Sequence, residues 1–141
     1  MRTLISADVE IRITQGRGRA VFAARAFAKG ELVDTAPVIL GDTHWNDLPA
    51  WVGNYVYSWK DIGGRDATVA LALGHGSLYN ASTDANLRFR AAESNDAIDY
   101  RAARDIAPGE ELTINYSSAD GSPTCDHNSW FAERGIPYLE D

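Results

Sequence analysis

The chain has 141 residues, 45% hydrophobic and 23% charged, which is enough for one globular domain whose core needs no covalent staples. A formal net charge of −7 argues against direct nucleic-acid binding, which takes a basic face, and suits a basic partner such as a Lys/Arg-rich protein segment. Cys125 is the single cysteine, so an internal disulfide and a multi-cysteine zinc cluster are excluded.

From the N-terminus, charged and apolar residues alternate without the apolar core of a signal peptide, and no apolar run approaches a bilayer span. The expectation is a cytoplasmic protein with no membrane partner. Val9, Ile11 and Ile13 alternate with Glu10, Arg12 and Thr14, a strand pattern. Gln15 to Gly18 turns the chain into a second strand over residues 20–24. A third strand is expected over residues 31–40, bent near Pro37. Residues 43–51 read as one short helix capped by Asp42 or Thr43. Tyr55, Tyr57 and Trp59 alternate like a strand, and residues 67–73 read as a buried one. Residues 87–91 and 98–103 form a pair around the turn Glu93-Ser94-Asn95-Asp96, and residues 112–116 the last strand. Ser129 would cap a short terminal helix carrying Trp130 and Phe131. Short strands with frequent turns imply a mainly β fold. Gly16-Arg17-Gly18 is no dinucleotide fingerprint, since the third glycine and a following long helix are missing. A P-loop and a Gly-x-Ser-x-Gly elbow are absent too.

Three segments carry chemistry. The first is Gly18-Arg19-Ala20-Val21-Phe22-Ala23, followed by Gly30-Glu31-Leu32-Val33. The second runs from Leu73-Gly74-His75-Gly76 through Ser77-Leu78-Tyr79-Asn80-Ala81-Ser82-Thr83-Asp84-Ala85-Asn86. The third is Arg104-Asp105-Ile106-Ala107-Pro108-Gly109-Glu110-Glu111-Leu112-Thr113-Ile114-Asn115-Tyr116. Glycines let a backbone approach a ligand and adopt positive φ. Asparagines stabilise irregular backbone and can both donate and accept. In this order and at this spacing, the three segments resemble SET-domain protein lysine methyltransferases, in the small, free-standing prokaryotic form.

The resemblance implies a single SET domain over residues 1–141, with a core over about 9–116. Its fold would be a β-clip of short strands with few short helices and a knot-like C-terminal threading. It also implies S-adenosylmethionine as methyl donor and a basic protein or peptide carrying the target lysine as partner. Cofactor contacts fall on Gly18, Arg19, Ala20, Asn80, Ala81, Tyr116 and Trp130, and Tyr116 takes the place of the family's catalytic tyrosine. The pattern's second glycine falls on Ala20, which fits if φ is negative there or the turn shifts to Gly16 and Gly18. Ala81 and Ala85 stand where relatives carry histidine and proline. Aromatic walls desolvate a lysine stem and attract its cationic head, so Tyr57, Tyr79 and Phe89 are channel candidates. Ile114 joins them from the position where relatives place a phenylalanine or tyrosine. The cysteine-rich zinc module of many relatives is absent, so no metal is expected. Residues 117–141 would complete the site by packing or by contact with a second copy of the chain, as in a homodimer. The competing expectation, motivated by Ala20, Ala81 and Ala85, is a SET-fold module that binds a basic peptide without catalysis.

Overall fold

The computed structural model describes residues 8–16 and 18–116. Strands β1 (Val9–Thr14) and β2 (Gly18–Ala23) form an antiparallel hairpin. Gly16 and Gly18 carry its positive φ, at 85° and 70°, and Ala20 does not. The turn is therefore shifted to glycines, and Ala20 is free to be a fully buried strand residue.

The long strand β3 (Leu32–Gly41) belongs to two ribbons in succession. Its first half, through Pro37, pairs with β8 (Ala97–Ala102), and Val38 to Gly41 pair with β5 (Val69–Ala72). The expected bend near Pro37 is thus a change of partner. A proline, having no N–H to give the ladder, is tolerated where one pairing ends and the next begins. With β4 (Val56–Ser58) outside β5 and β7 (Leu87–Ala91) outside β8, the strand order is β4-β5-β3-β8-β7. Leu87, Phe89 and Ala91 of β7 point into the core while Arg88 and Arg90 face solvent, the period of two expected of a half-buried strand.

The connection between β3 and β4 differs from expectation. Instead of one helix over residues 43–51, there is a 3-10 turn at Trp45–Asp47 and a four-residue helix α1 (Ala50–Gly53). Pro49 is the cause: it lacks an N–H, and it pushes Leu48 into extended conformation (φ −91°, ψ 151°). The first turn is capped by His44, whose Nδ1 accepts from the Asn46 N–H at 3.1 Å, and not by Asp42 or Thr43. The strand expected over residues 55–59 is confined to Val56–Ser58, because Trp59 turns helical and leads a second 3-10 turn, Lys60–Ile62. The Trp59 ring is fully buried, and its Nε1 donates to Asn95 Oδ1 at 3.1 Å, which pins this turn to the β7–β8 hairpin.

The last expected strand is also shorter. Within residues 112–116 only β9 (Thr113–Ile114) forms a ladder, parallel to β6 (Asn80–Ala81). Around it the chain is clasped by several partners. The Leu112 N–H donates to Val21 O at 2.7 Å and the Gly109 N–H to Ala23 O at 2.7 Å. The Asn86 side chain donates to Glu111 O at 2.7 Å and accepts from the Thr113 N–H at 2.9 Å. Asn86 is 1% exposed, so its amide replaces a ladder for backbone that would otherwise be buried unpaired. The C-terminal part of the described chain is in this way drawn between the first and second sequence motifs.

Candidate active site

The clasp brings Tyr116 against the second motif. The Tyr116 hydroxyl donates to the backbone oxygen of Tyr79 at 3.0 Å. Tyr79 immediately precedes β6, so the β6–β9 pairing that orders the C-terminal strand also sets the reach of Tyr116.

Next to this contact lies a nest of tyrosines. Tyr79 and Tyr100 have ring centroids 4.8 Å apart, and Phe89 packs edge-on to Tyr57 at 5.3 Å. The Tyr57 hydroxyl donates to Gly76 O at 2.6 Å and accepts from the Tyr100 hydroxyl at 2.9 Å. Tyr100 also reaches Gly76 O, at 3.2 Å. The Tyr79 hydroxyl donates to Asp34 Oδ2 at 2.7 Å. Burial pushes the pKa of all three hydroxyls up, so they stay neutral donors at ordinary pH. Burial likewise raises the Asp34 carboxyl, against the opposing hydrogen bond from Tyr79.

The residues singled out in the sequence fall into two groups. Tyr57, Tyr79 and Phe89 do come together, and Ile114 lies in the same core at 1% exposure. Arg19 and Asn80 also meet: Asn80 Nδ2 donates to Arg19 O at 3.2 Å and to Glu111 Oε2 at 3.0 Å. Asn80 thus ties the three motifs to one another. Ala81 is buried, and its backbone pairs with Ile114. A Cβ at Gly16 or Gly18 would meet no atom within 4 Å, so there is space beside the turn before β2. Trp130 lies outside the described residues. Asp34 and Tyr100 were not singled out from the sequence, and Gly76 entered only as part of the second motif. Only the inward phase of Ile98, Tyr100 and Ala102 along β8 hinted that the Tyr100 hydroxyl would need an internal partner.

Because both hydrogens of the Asn80 amide are used inside the fold, Asn80→Ala is expected to act twice. It should lower stability by about 1 kcal/mol through the lost hydrogen bonds, and it should weaken S-adenosylmethionine binding by a larger factor. Thermal unfolding and calorimetric titration of the variant check both, and unchanged cofactor affinity would remove Asn80 from the binding set.

A clasped C-terminal strand, the asparagine-bearing segment it pairs with and a tyrosine held at their junction are the arrangement of a SET domain. The SET domain family matches residues 18–117, and the chain belongs to that family. Its similarity to a curated relative, the Schizosaccharomyces pombe protein named "Histone-lysine N-methyltransferase, H3 lysine-37 specific", is 29% identity over 116 residues, 80% of this chain and 76% of the relative. The fold superposes with a TM-score of 0.62 on the crystal structure of a Plasmodium falciparum protein described as a proposed histone methyltransferase. That match has 23% identity and covers 79% of this chain and 95% of the other.

The residues present fit the methyl donor of this family. Beside the Gly16 and Gly18 turn, where an added Cβ would meet no atom within 4 Å, there is space for such a ligand, and Asn80 ties the following strand to the other two motifs at that point.

Proposed function

We propose that this protein is an S-adenosylmethionine-dependent protein-lysine N-methyltransferase. The observation that carries the reading is the Tyr116 hydroxyl, held at 3.0 Å by the Tyr79 carbonyl where the C-terminal strand meets the Asn80 loop. When bound, S-adenosylmethionine supplies a methyl group already activated by its positive sulfur. The protein's task is then alignment and a deprotonated amine, which asks for no strong general base.

Tyr116 commits its proton to the Tyr79 carbonyl, so at the site its oxygen acts as an acceptor for weak C–H contacts from a polarised methyl. Gly18, Arg19 and Ala20 with Asn80 and Ala81 hold the cofactor largely through main-chain atoms. The rings of Tyr57, Tyr79 and Phe89 exclude water from the lysine stem, and an apolar surrounding favours the neutral amine. The protein substrate carries its target lysine in a basic segment, in keeping with the net charge of −7, and the cytoplasm is the proposed compartment.

The test is incubation with labelled S-adenosylmethionine and either histone H3 or a fractionated lysate, followed by mass spectrometry of modified lysines. Label on lysine supports the reading. Tight binding of a basic peptide with no label transferred would instead mark a binding module.

The hydroxyls near the channel bear on product multiplicity. Tyr79 donates to Asp34 and Tyr57 donates to Gly76 O, so neither offers its proton to the amine, and Ile114 has no hydroxyl. More than one methyl per lysine is therefore expected in an extended reaction with excess cofactor. A mass spectrum stalled at one methyl would contradict this.

A further inference from the structure

Arg88 and Arg90 leave β7 on the side away from the Phe89 ring, because side chains alternate along a strand. The β7–β8 register sets Arg88 directly opposite Arg101 and Arg90 directly opposite Asp99, so all four share one face. Two like charges directly opposite each other weaken an antiparallel pair. Elsewhere arginines find carboxylates: Arg12 meets Glu10 at 2.6 Å, Arg25 meets Glu31 at 2.7 Å and Arg104 meets Asp84 at 3.6 Å. Among the described residues, no carboxylate lies within ion-pair distance of Arg88, Arg90 or Arg101. Asp99, opposite Arg90, accepts instead from the Thr35 hydroxyl at 3.3 Å. Arg101 gives one N–H to Gly30 O at 3.2 Å, which does not neutralise its charge.

The three arginines line a cavity of about 620 Å³ whose far wall is the second 3-10 turn, with Asp61, Ile62 and Gly63. That volume falls within the range of small-ligand sites, roughly 300–1,000 Å³. Planar guanidinium groups with several N–H donors match the oxygens of a phosphate. Asp61 and Asp99 offer acceptors to the hydroxyls of an organic body, and Ile62 offers it an apolar contact. A long polyanion such as nucleic acid suits the groove less well, since the chain as a whole carries a formal charge of −7 and repels it.

We propose that this groove binds a small organic phosphate, with the phosphate held between Arg88 and Arg101 and a hydroxyl-bearing body set against Asp61 and Asp99. The groove and the tyrosine nest share β7: the Phe89 ring packs on Tyr57 inside, and the arginines line the groove outside. The inference does not depend on the methyltransferase reading.

The experiment is calorimetric titration of the full chain with ribose 5-phosphate and glycerol 3-phosphate, each beside its unphosphorylated counterpart. The wild type is expected to bind at least one of the phosphates and neither ribose nor glycerol. Arg88→Gln removes the charge and keeps a polar side chain, and it should weaken that binding about tenfold or more, as the loss of a charge-assisted hydrogen bond implies. Without ligand its melting midpoint should be no lower than that of the wild type, because a like-charge pair has been relieved. Arg12→Gln, which removes an arginine already paired with Glu10, is the control and should bind like the wild type. Should Arg88→Gln fail to fold, Arg90→Gln makes the same comparison. The proposal is overturned if neither phosphate binds, or if Arg88→Gln and Arg12→Gln lose affinity equally, for then only the overall charge matters. Binding of a phosphoserine peptide in place of both small phosphates also overturns it, and gives the groove to a protein partner.

Discussion

Tyr116→Phe is expected to reduce methyl transfer at least about tenfold, the equivalent of 1.4 kcal/mol in the barrier, while the protein stays folded and still binds S-adenosylmethionine. The phenylalanine ring fills the same volume, so the packing of Tyr116 beside the core is kept. What disappears is the hydroxyl that donates to Tyr79 O at 3.0 Å. The Tyr79 carbonyl then loses a donor, a loss of about 1 kcal/mol at most for a partly buried group, too small to unfold a domain. The oxygen that would accept the C–H contacts of a methyl in flight is also gone, and that effect falls on the rate. Single-turnover transfer by the variant, alongside calorimetric cofactor binding, separates the two. Undiminished turnover would exclude Tyr116 from catalysis.

Gly76→Ala should have the largest effect on stability among substitutions near the site. Gly76 has no positive φ, so the backbone itself would accept alanine. Space does not: an added Cβ would lie 2.5 Å from the Ala72 Cβ, 2.8 Å from the Ala36 Cβ and 2.9 Å from the Tyr100 hydroxyl. The first two neighbours are rooted in β5 and β3 and cannot swing aside as the end of a long side chain can. Overpacking of this kind costs about 1–3 kcal/mol, and here it also displaces the carbonyl that accepts from Tyr57 and Tyr100. A melting midpoint lower by roughly 5 °C or more is expected, together with slower transfer as the tyrosine nest shifts. A midpoint equal to that of the wild type would show that β3 and β5 can separate at this point, contrary to their close packing.

Much of the fold was legible in the sequence because it depends on local pattern. Alternation located β1, β3, β7 and β8 to within about a residue or two, since a strand with one buried face must repeat every second residue. Glycine placement located the hairpin turn ahead of β2, where Gly16 and Gly18 take the positive φ that Ala20 avoids. The third motif named Tyr116, and the second named Asn80 and Asn86. Pro49 was equally visible, and the division of the helix expected over residues 43–51 follows from its missing N–H.

The sequence by itself determined that this is a SET domain with Tyr116 at the end of its C-terminal strand, because strand periodicity and a contiguous motif are both written along the chain. The tertiary structure decided what surrounds that tyrosine. Asp34 meets Tyr79 across 45 positions, and Tyr57 meets Tyr100 across 43. Those meetings depend on the register of β3 against β8 and of β4 against β5, and on the partner change of β3 at Pro37. Pairing partners and register are settled by how all the strands bury their apolar faces at once, and a one-residue slip would turn each of these side chains to the opposite face.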